Sequence, residues 1–315
     1  MKLDCSNKSD FRVAASIVLY NEKRHIPRLV NSLLKQRHVI NDVYVYDNQS
    51  TDGCADLTIE MLPTILLERS NENGGFAKGH NVNAKKAFEN GSDLLLILNT
   101  DVEFDEAFVA VLLTQAKKHA TVGVFCPMII DGTSPIENLK LQAFRTYFSL
   151  SGFTKRYPDW GLQARYWDQL PEVVDVTFPV GAGFMIQKWC YQTVGLWNEE
   201  GFMYGEEIDF AYRLRKNQIK VKAVRDARLI HLHDWSNQRS DKYAFEYYYI
   251  NRNRILFFKR HGLYQWLIWF LLGQLAVAPI KIRWLMKKGG RSFAKYYYLG
   301  IYRGLLGETG HSKIF

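Results

Sequence analysis

Leu94-Leu95-Leu96-Ile97-Leu98 is an unbroken aliphatic run that stops at Asn99-Thr100-Asp101. A strand with one wet face alternates apolar and polar residues, whereas a continuous run belongs to a strand covered on both faces. Covering both faces takes helices on each side of a mostly parallel sheet, so the run alone directs the chain to a layered α/β fold. Asp101 follows the strand closely. It therefore falls where open α/β sheets bind ligands, in the crevice outside the carboxyl ends of the strands.

The rest of the amino-terminal half repeats the pattern. Strands are predicted at Ala14–Tyr20, Val43–Tyr46, Thr64–Glu68, Leu94–Leu98 and Val122–Phe125. Helical spacing is read between them, with helices at Ala55–Met61, from the Asn73-Gly74-Gly75 segment to about Asn90, and at Asp105–Lys118. Such alternation predicts a mainly parallel, doubly wound sheet with right-handed crossovers. Residues 131–172 are less regular and suit a long connection over a cleft. Strand character returns over Val173–Ile186, interrupted by Gly181-Ala182-Gly183, and a helix is expected from Glu206 to about Asn217. Two short strands, Lys220–Val224 and Arg228–His231, precede a helix over Tyr243–His261.

The polar residues cluster at strand ends. The first strand runs out into Tyr20-Asn21-Glu22 and the second into Asp47-Asn48, groups able to hydrogen-bond a base and a ribose. Asn73-Gly74-Gly75-Phe76 opens a helix, where unpaired N–H groups attract an anion. It lacks the lysine of a Walker loop and the spacing of a dinucleotide fingerprint. Asp101 is a hard oxygen donor for Mg²⁺ or Mn²⁺, and His231, at another strand end, is a possible second ligand. In Tyr204-Gly205-Glu206-Glu207-Ile208-Asp209, acids fill the first turn of a helix. They favour its dipole, and Asp209 is spaced to pair with Arg213. One of Glu206, Glu207 and Asp209 is also placed to act as a general base.

In this order, SIVLYNE, VYDNQSTDG, ENGGFAKGHN, LLLILNTD, GAG with FMI, LWNEEGFMYGEEIDFAYRLR and IHLH resemble the inverting family-two glycosyltransferases of the GT-A fold. The resemblance covers roughly residues 14–260 and is closest to the bacterial rhamnosyltransferase-like branch. It implies a nucleotide-diphosphate-sugar donor, first read as dTDP-rhamnose, with a UDP-hexose or a furanose donor as the alternative. It places Tyr20, Asn21, Glu22, Asp47, Asn48, Asn73, Gly74, Gly75, Phe76, Asn99, Thr100 and Asp101 around the donor. It assigns Asp101 and His231 to a divalent metal, Glu207 to the base, and Gly181, Gly183 and Trp197 to the acceptor side. Two positions depart from the family pattern: Asn99 stands where the metal motif has its first acid, and Glu207 where the base is usually Asp. Glu206 is thus a rival base, and a degenerate protein that only binds sugar nucleotide or glycan is the non-enzymatic reading. A nucleotidyltransferase would carry a glycine-rich loop where this chain has Tyr20-Asn21-Glu22-Lys23-Arg24.

Charge divides the chain. Residues 251–295 hold ten Lys or Arg and no Asp or Glu, so a net charge of +9 leaves the remainder nearly neutral. Within this tail, Tyr264–Ile280 is apolar and bears Trp266 and Trp269. It falls short of the about 20 apolar residues that span a bilayer. A helix lying on an anionic leaflet is expected, which favours a polyprenyl-diphosphate-linked acceptor over nucleic acid as partner. The domains are thus a GT-A body over residues 1–260 and a basic helical segment over residues 261–315. A polar N-terminus and four dispersed cysteines predict free thiols and a cytoplasmic enzyme on the inner membrane face.

Overall fold

The computed structural model describes residues 11–132, 141–142, 145–149, 152–156, 170–232 and 240–314. Strands β1 (Val13–Leu19), β2 (Ile40–Asp47), β3 (Leu66–Arg69) and β4 (Leu94–Leu98) run parallel in the order β3-β2-β1-β4. Helices α1 (Ile26–Lys35), α2 (Cys54–Met61) and α3 (Gly75–Glu89) connect them. The run at Leu94 behaves as its composition requires. Leu94, Leu96 and Leu98 enter one core with Leu29, Leu33 and Leu112, while Leu95 and Ile97 enter another with Ala84, Phe88 and Phe210.

After β4 come β5 (Val102–Phe104), α4 (Phe108–Lys118) and β6 (Val122–Asp131). Then β7 (Leu141–Gln142), β8 (Arg145–Ser149) and β9 (Gly152–Arg156) lie in the irregular connection, and β8 and β9 form a separate two-stranded sheet. The sheet continues through β10 (Val173–Val176), β11 (Gly183–Gln187) and, after α5 (Lys188–Val194) and α6 (Glu206–Lys216), β12 (Lys220–His231). Strand β11 inserts antiparallel between β4 and β6. The strand character expected over Val173–Ile186, interrupted at Gly181-Ala182-Gly183, is accordingly two strands in different positions of the sheet. Conversely, Lys220–Val224 and Arg228–His231 are one strand, with a register shift between Val224 and Arg228.

Helix α7 (Ser240–Arg260) packs on α8 (Tyr264–Leu306), which kinks at Gly290, where φ is 72°. Phe257, Phe258, Leu267, Phe270, Leu285, Phe293 and Tyr297 form their common core. Helix α7, counted above with the body, thus shares its interior with the carboxyl-terminal segment. Within α8, Tyr264–Lys287 contains an 18-residue window of mean hydropathy 1.4, long and apolar enough to cross a membrane by length and composition. Ile268, Trp269, Leu272, Leu275 and Ile280 are exposed on it. Cys54, Cys126 and Cys190 are buried free thiols.

Candidate active site

The site is built on the carboxyl rim of β1, β2 and β4. Asp101 lies between β4 and β5, and β5 pairs with the end of β12 so that Val102 is opposite His231. The Leu232 N–H donates to the Asp101 carbonyl at 2.8 Å and locks this register. Asp101 Oδ1 and His231 Nε2 consequently face each other at 3.3 Å, with side chains only 13% and 11% exposed. A carboxylate oxygen and an imidazole nitrogen that converge in a sheltered rim suit a small divalent cation. Among the described residues no cluster of three or more His, Cys, Asp or Glu forms. His233 lies outside the described residues.

Glu207 approaches the same rim by another route. The Asn99 N–H donates to the Ala182 carbonyl at 3.0 Å, and the neighbouring Gly181 N–H donates to Glu207 Oε1 at 2.6 Å. A Cβ on Gly181 would come within 2.8 Å of that oxygen, so glycine here makes room for the carboxylate. The turn before α6 is contorted, with positive φ at Phe202 (60°), Tyr204 (65°) and Gly205 (96°). Such backbone persists only where its surroundings over-determine it.

Asn253 of α7 supplies that restraint. Its amide lies 2.9, 2.8 and 2.6 Å from the carbonyls of Gly201, Met203 and Tyr204, and the buried Arg252 adds a bond of 2.9 Å to Gly201. This clamp was not read from sequence, although Asn251-Arg252-Asn253 is a buried polar run inside an apolar helix. Asn253→Asp should free the turn, because a carboxylate would face carbonyls it cannot satisfy. The expected result is a loss of about 1–3 kcal/mol in stability, with a fall in kcat larger than the change in donor KM. Urea denaturation and steady-state kinetics check it.

The donor-side loops are tied together. Asn21 accepts from the Thr51 N–H at 2.8 Å, Asp47 accepts from the Ser50 N–H at 3.1 Å, and Tyr20 stands 46% exposed at the opening. Glu22 pairs with His25 at 3.4 Å, and Thr100 is buried beside Asn99. Asn48 accepts from Gly74 N–H and donates to the Gly75 carbonyl, so its side chain holds the loop. Asn73 accepts from the Gly75 N–H. A side chain on Gly75 would strike the Phe202 carbonyl, so this glycine lets the clamped turn approach α3.

Some expected site residues turn away. Trp197, expected on the acceptor side, is 5% exposed, and its ring packs with Phe76, Phe184 and Phe210. Asn81 fixes its backbone on both sides. Phe76, partly buried, packs against the same core beside His80 and Trp197. Gly183 is buried in β11, where a Cβ would meet Leu229 at 2.7 Å. Asp209 is bonded by Arg213 (2.7 Å), Arg260 (3.0 Å) and His261 (2.8 Å). Burial raises its pKa, but His261 and the two arginines outweigh that and hold it at about 2. A carboxylate held so firmly ionised is a poor proton acceptor, and its role is to join α6 to α7.

The mixed α/β sheet, with its carboxyl-terminal helical extension, has the GT-A fold of glycosyltransferases. The family model described as Glycosyl transferase family 2 matches residues 15–170, and the chain belongs to that family. It is 24% identical over 227 residues to the N-acetylglucosaminyl-diphospho-decaprenol L-rhamnosyltransferase of Mycobacterium tuberculosis, covering 68% of this chain and 74% of that protein. It is 25% identical over 228 residues to the dTDP-rhamnosyl transferase RfbF of Shigella flexneri, covering 70% and 68%. Among solved structures, GalNAc-T7 with UDP, GalNAc and Mn²⁺ aligns with a TM-score of 0.62 at 15% identity, over 80% of this chain and about half (48%) of that one. The mannosyltransferase PcManGT of Pyrobaculum calidifontis with GDP-Man and Mn²⁺ aligns at 0.53 and 12% identity, over 95% and 87%.

Proposed function

We propose that this glycosyltransferase is an inverting, metal-dependent enzyme that moves a sugar from a nucleotide diphosphate to a saccharide hydroxyl. The observation that carries the reading is the facing Asp101–His231 pair, on the same rim as an acid held by the Gly181 N–H. Asp101 and His231 would hold Mg²⁺ or Mn²⁺, which when bound offsets negative charge on a departing diphosphate. Glu207 takes the proton of the acceptor hydroxyl at its carboxylate as that oxygen attacks the anomeric carbon. The C–O bond to the diphosphate breaks on the opposite face, so one displacement inverts the centre. Asn21 and Asp47 stiffen the donor loops, Asn48 sets the Gly74-Gly75 turn, and Tyr20 caps the opening.

The donor reading is dTDP-rhamnose, supported by the rhamnosyltransferase relatives. The relative whose name specifies a decaprenol-diphosphate sugar supports a lipid-linked acceptor. The exposed apolar face of α8 and the basic tail favour work at the cytoplasmic face of a membrane. A UDP-hexose or galactofuranose donor is the alternative, supported by a hexosyltransferase relative at 26% identity. Thermal unfolding of the purified protein with dTDP-, UDP- and GDP-sugars tests the assignment. The largest rise in Tm is expected with dTDP-rhamnose plus Mn²⁺, and addition of EDTA should abolish it. A uniform response to all three, or one indifferent to EDTA, would reject the reading.

A further inference from the structure

Among the described residues, no carboxylate pairs with Arg254 or Lys281 in the seam of the carboxyl-terminal helices. Arg254 of α7 reaches into the seam with α8, and its guanidinium lies 5.2 Å from the centroid of the Phe270 ring. Lys281 of α8 comes to the same region, over the rings of Trp284 (4.8 Å) and Tyr297 (5.1 Å). Burial pushes both groups below their ordinary pKa, and the charge of Arg254 pushes Lys281 down further. Other basic residues nearby are neutralised: Arg260 by Asp209 and Glu200, and Arg303 by Glu308. Aromatic faces attract cations but do not neutralise them. Two like charges in a half-dry seam therefore oppose folding unless an anion joins them.

The space for that anion is present. Arg254 lines a small cleft, partly open to solvent, with Gly205, Ile208, Asn253 and Phe257 among its walls. Gly205 is the residue that precedes Glu206 and Glu207, so the cleft borders the turn that presents the acid. Helix α8, whose Phe270 ring lies beside Arg254, turns Ile268, Trp269, Leu272 and Leu275 outward, 57%, 55%, 50% and 73% exposed. A ligand with an anionic group attached to a long apolar chain meets both surfaces at once.

The geometry points to a second ligand site in the seam of α7 and α8, beside this cleft: Arg254 and Lys281 receive the diphosphate of a prenyl-diphosphate-linked acceptor while its chain follows α8. This rests on the transferase reading and names the part of the acceptor that is not sugar. A guanidinium offers paired N–H donors to phosphate oxygens and an ammonium adds a point charge, a suitable combination for a diphosphate.

Calorimetric titration of the full chain with farnesyl diphosphate in EDTA tests this, since EDTA removes the cation that would draw diphosphate to the donor rim. Binding is expected, weakened at least about tenfold by Arg254→Gln and by Lys281→Gln, and largely kept by Arg254→Lys. If Arg254→Gln fails to fold, Lys281→Gln carries the test. Parent-like affinity in the folded Gln variants overturns the site. Inorganic diphosphate binding as tightly as farnesyl diphosphate assigns the cations to a free phosphate and overturns the lipid assignment. Phosphatidylglycerol vesicles without prenyl diphosphate that show the same Arg254 dependence overturn it in favour of a general headgroup surface. Donor-induced stabilisation with Mn²⁺ reports on the transferase reading separately, so either idea can fail while the other stands.

Discussion

Glu207→Gln is expected to lower kcat by about 10²–10⁴-fold, the usual worth of a general base, with donor KM and Tm close to the parent's. Gln matches Glu in size and keeps an oxygen for the Gly181 N–H, whose bond at 2.6 Å fixes the group. What it loses is the ability to accept a proton. Glu206→Gln separates the rival: Glu206 opens α6, where an acid interacts with the helix dipole for about 0.3–1 kcal/mol, and transfer should remain within a few-fold of the parent. Glu207→Asp should fall between, because the shorter side chain cannot reach the acceptor while bonded to Gly181. A parent-like Glu207→Gln beside an inactive Glu206→Gln would move the base by one residue.

The sheet was legible because its evidence is local. A both-faces-buried strand declares itself by an unbroken aliphatic run, and the parallel order follows from alternation with helices. Asp101 and His231 were also legible, each as the polar residue where a strand stops. Contacts distant in sequence were not. The pairing of Asp209 with Arg213 is visible at four residues' spacing, but Arg260 and His261 lie 51 and 52 residues away, and these set its character. Trp197 sits in a motif rich in site residues, yet nothing local says that its ring points into the core. Asn253 was hidden for the same reason, since its partners at Gly201, Met203 and Tyr204 exist only once α7 has docked.

That docking changes what the basic tail means. Some of its basic residues are engaged within the protein: Arg260 is paired with Asp209 and Glu200, Arg252 stacks 4.6 Å from the Tyr249 ring, and Lys259 bonds to the Leu305 carbonyl. The carboxyl-terminal helices are therefore more than an appendage, because Asn253 and Arg260 grip both sides of the turn that carries Glu207. Loss of these helices would damage transfer to a soluble acceptor as well as to one in a bilayer.

Asp101→Ala is expected to weaken divalent-cation binding by at least about 100-fold, since even indirect supports of a metal site cost 10- to 100-fold. It should abolish both transfer and the Mn²⁺-dependent stabilisation by donor. Stability without ligands should change little, because the carboxylate lies at a rim and Leu232 bonds to the Asp101 carbonyl, which alanine retains. The strand register that sets His231 opposite Val102 therefore survives the substitution. His231→Ala should produce the same two losses, and the double variant should be scarcely worse than either, because two ligands of one cation act as a unit. Asn99 sharpens this expectation: with an amide where the family has an acid, the protein's negative charge at the metal falls on Asp101. Asn99→Asp should accordingly tighten Mn²⁺ binding measured by calorimetry, whereas Asp101→Asn should not be rescued by Asn99→Asp, because the new carboxylate would sit two residues before the one that faces His231.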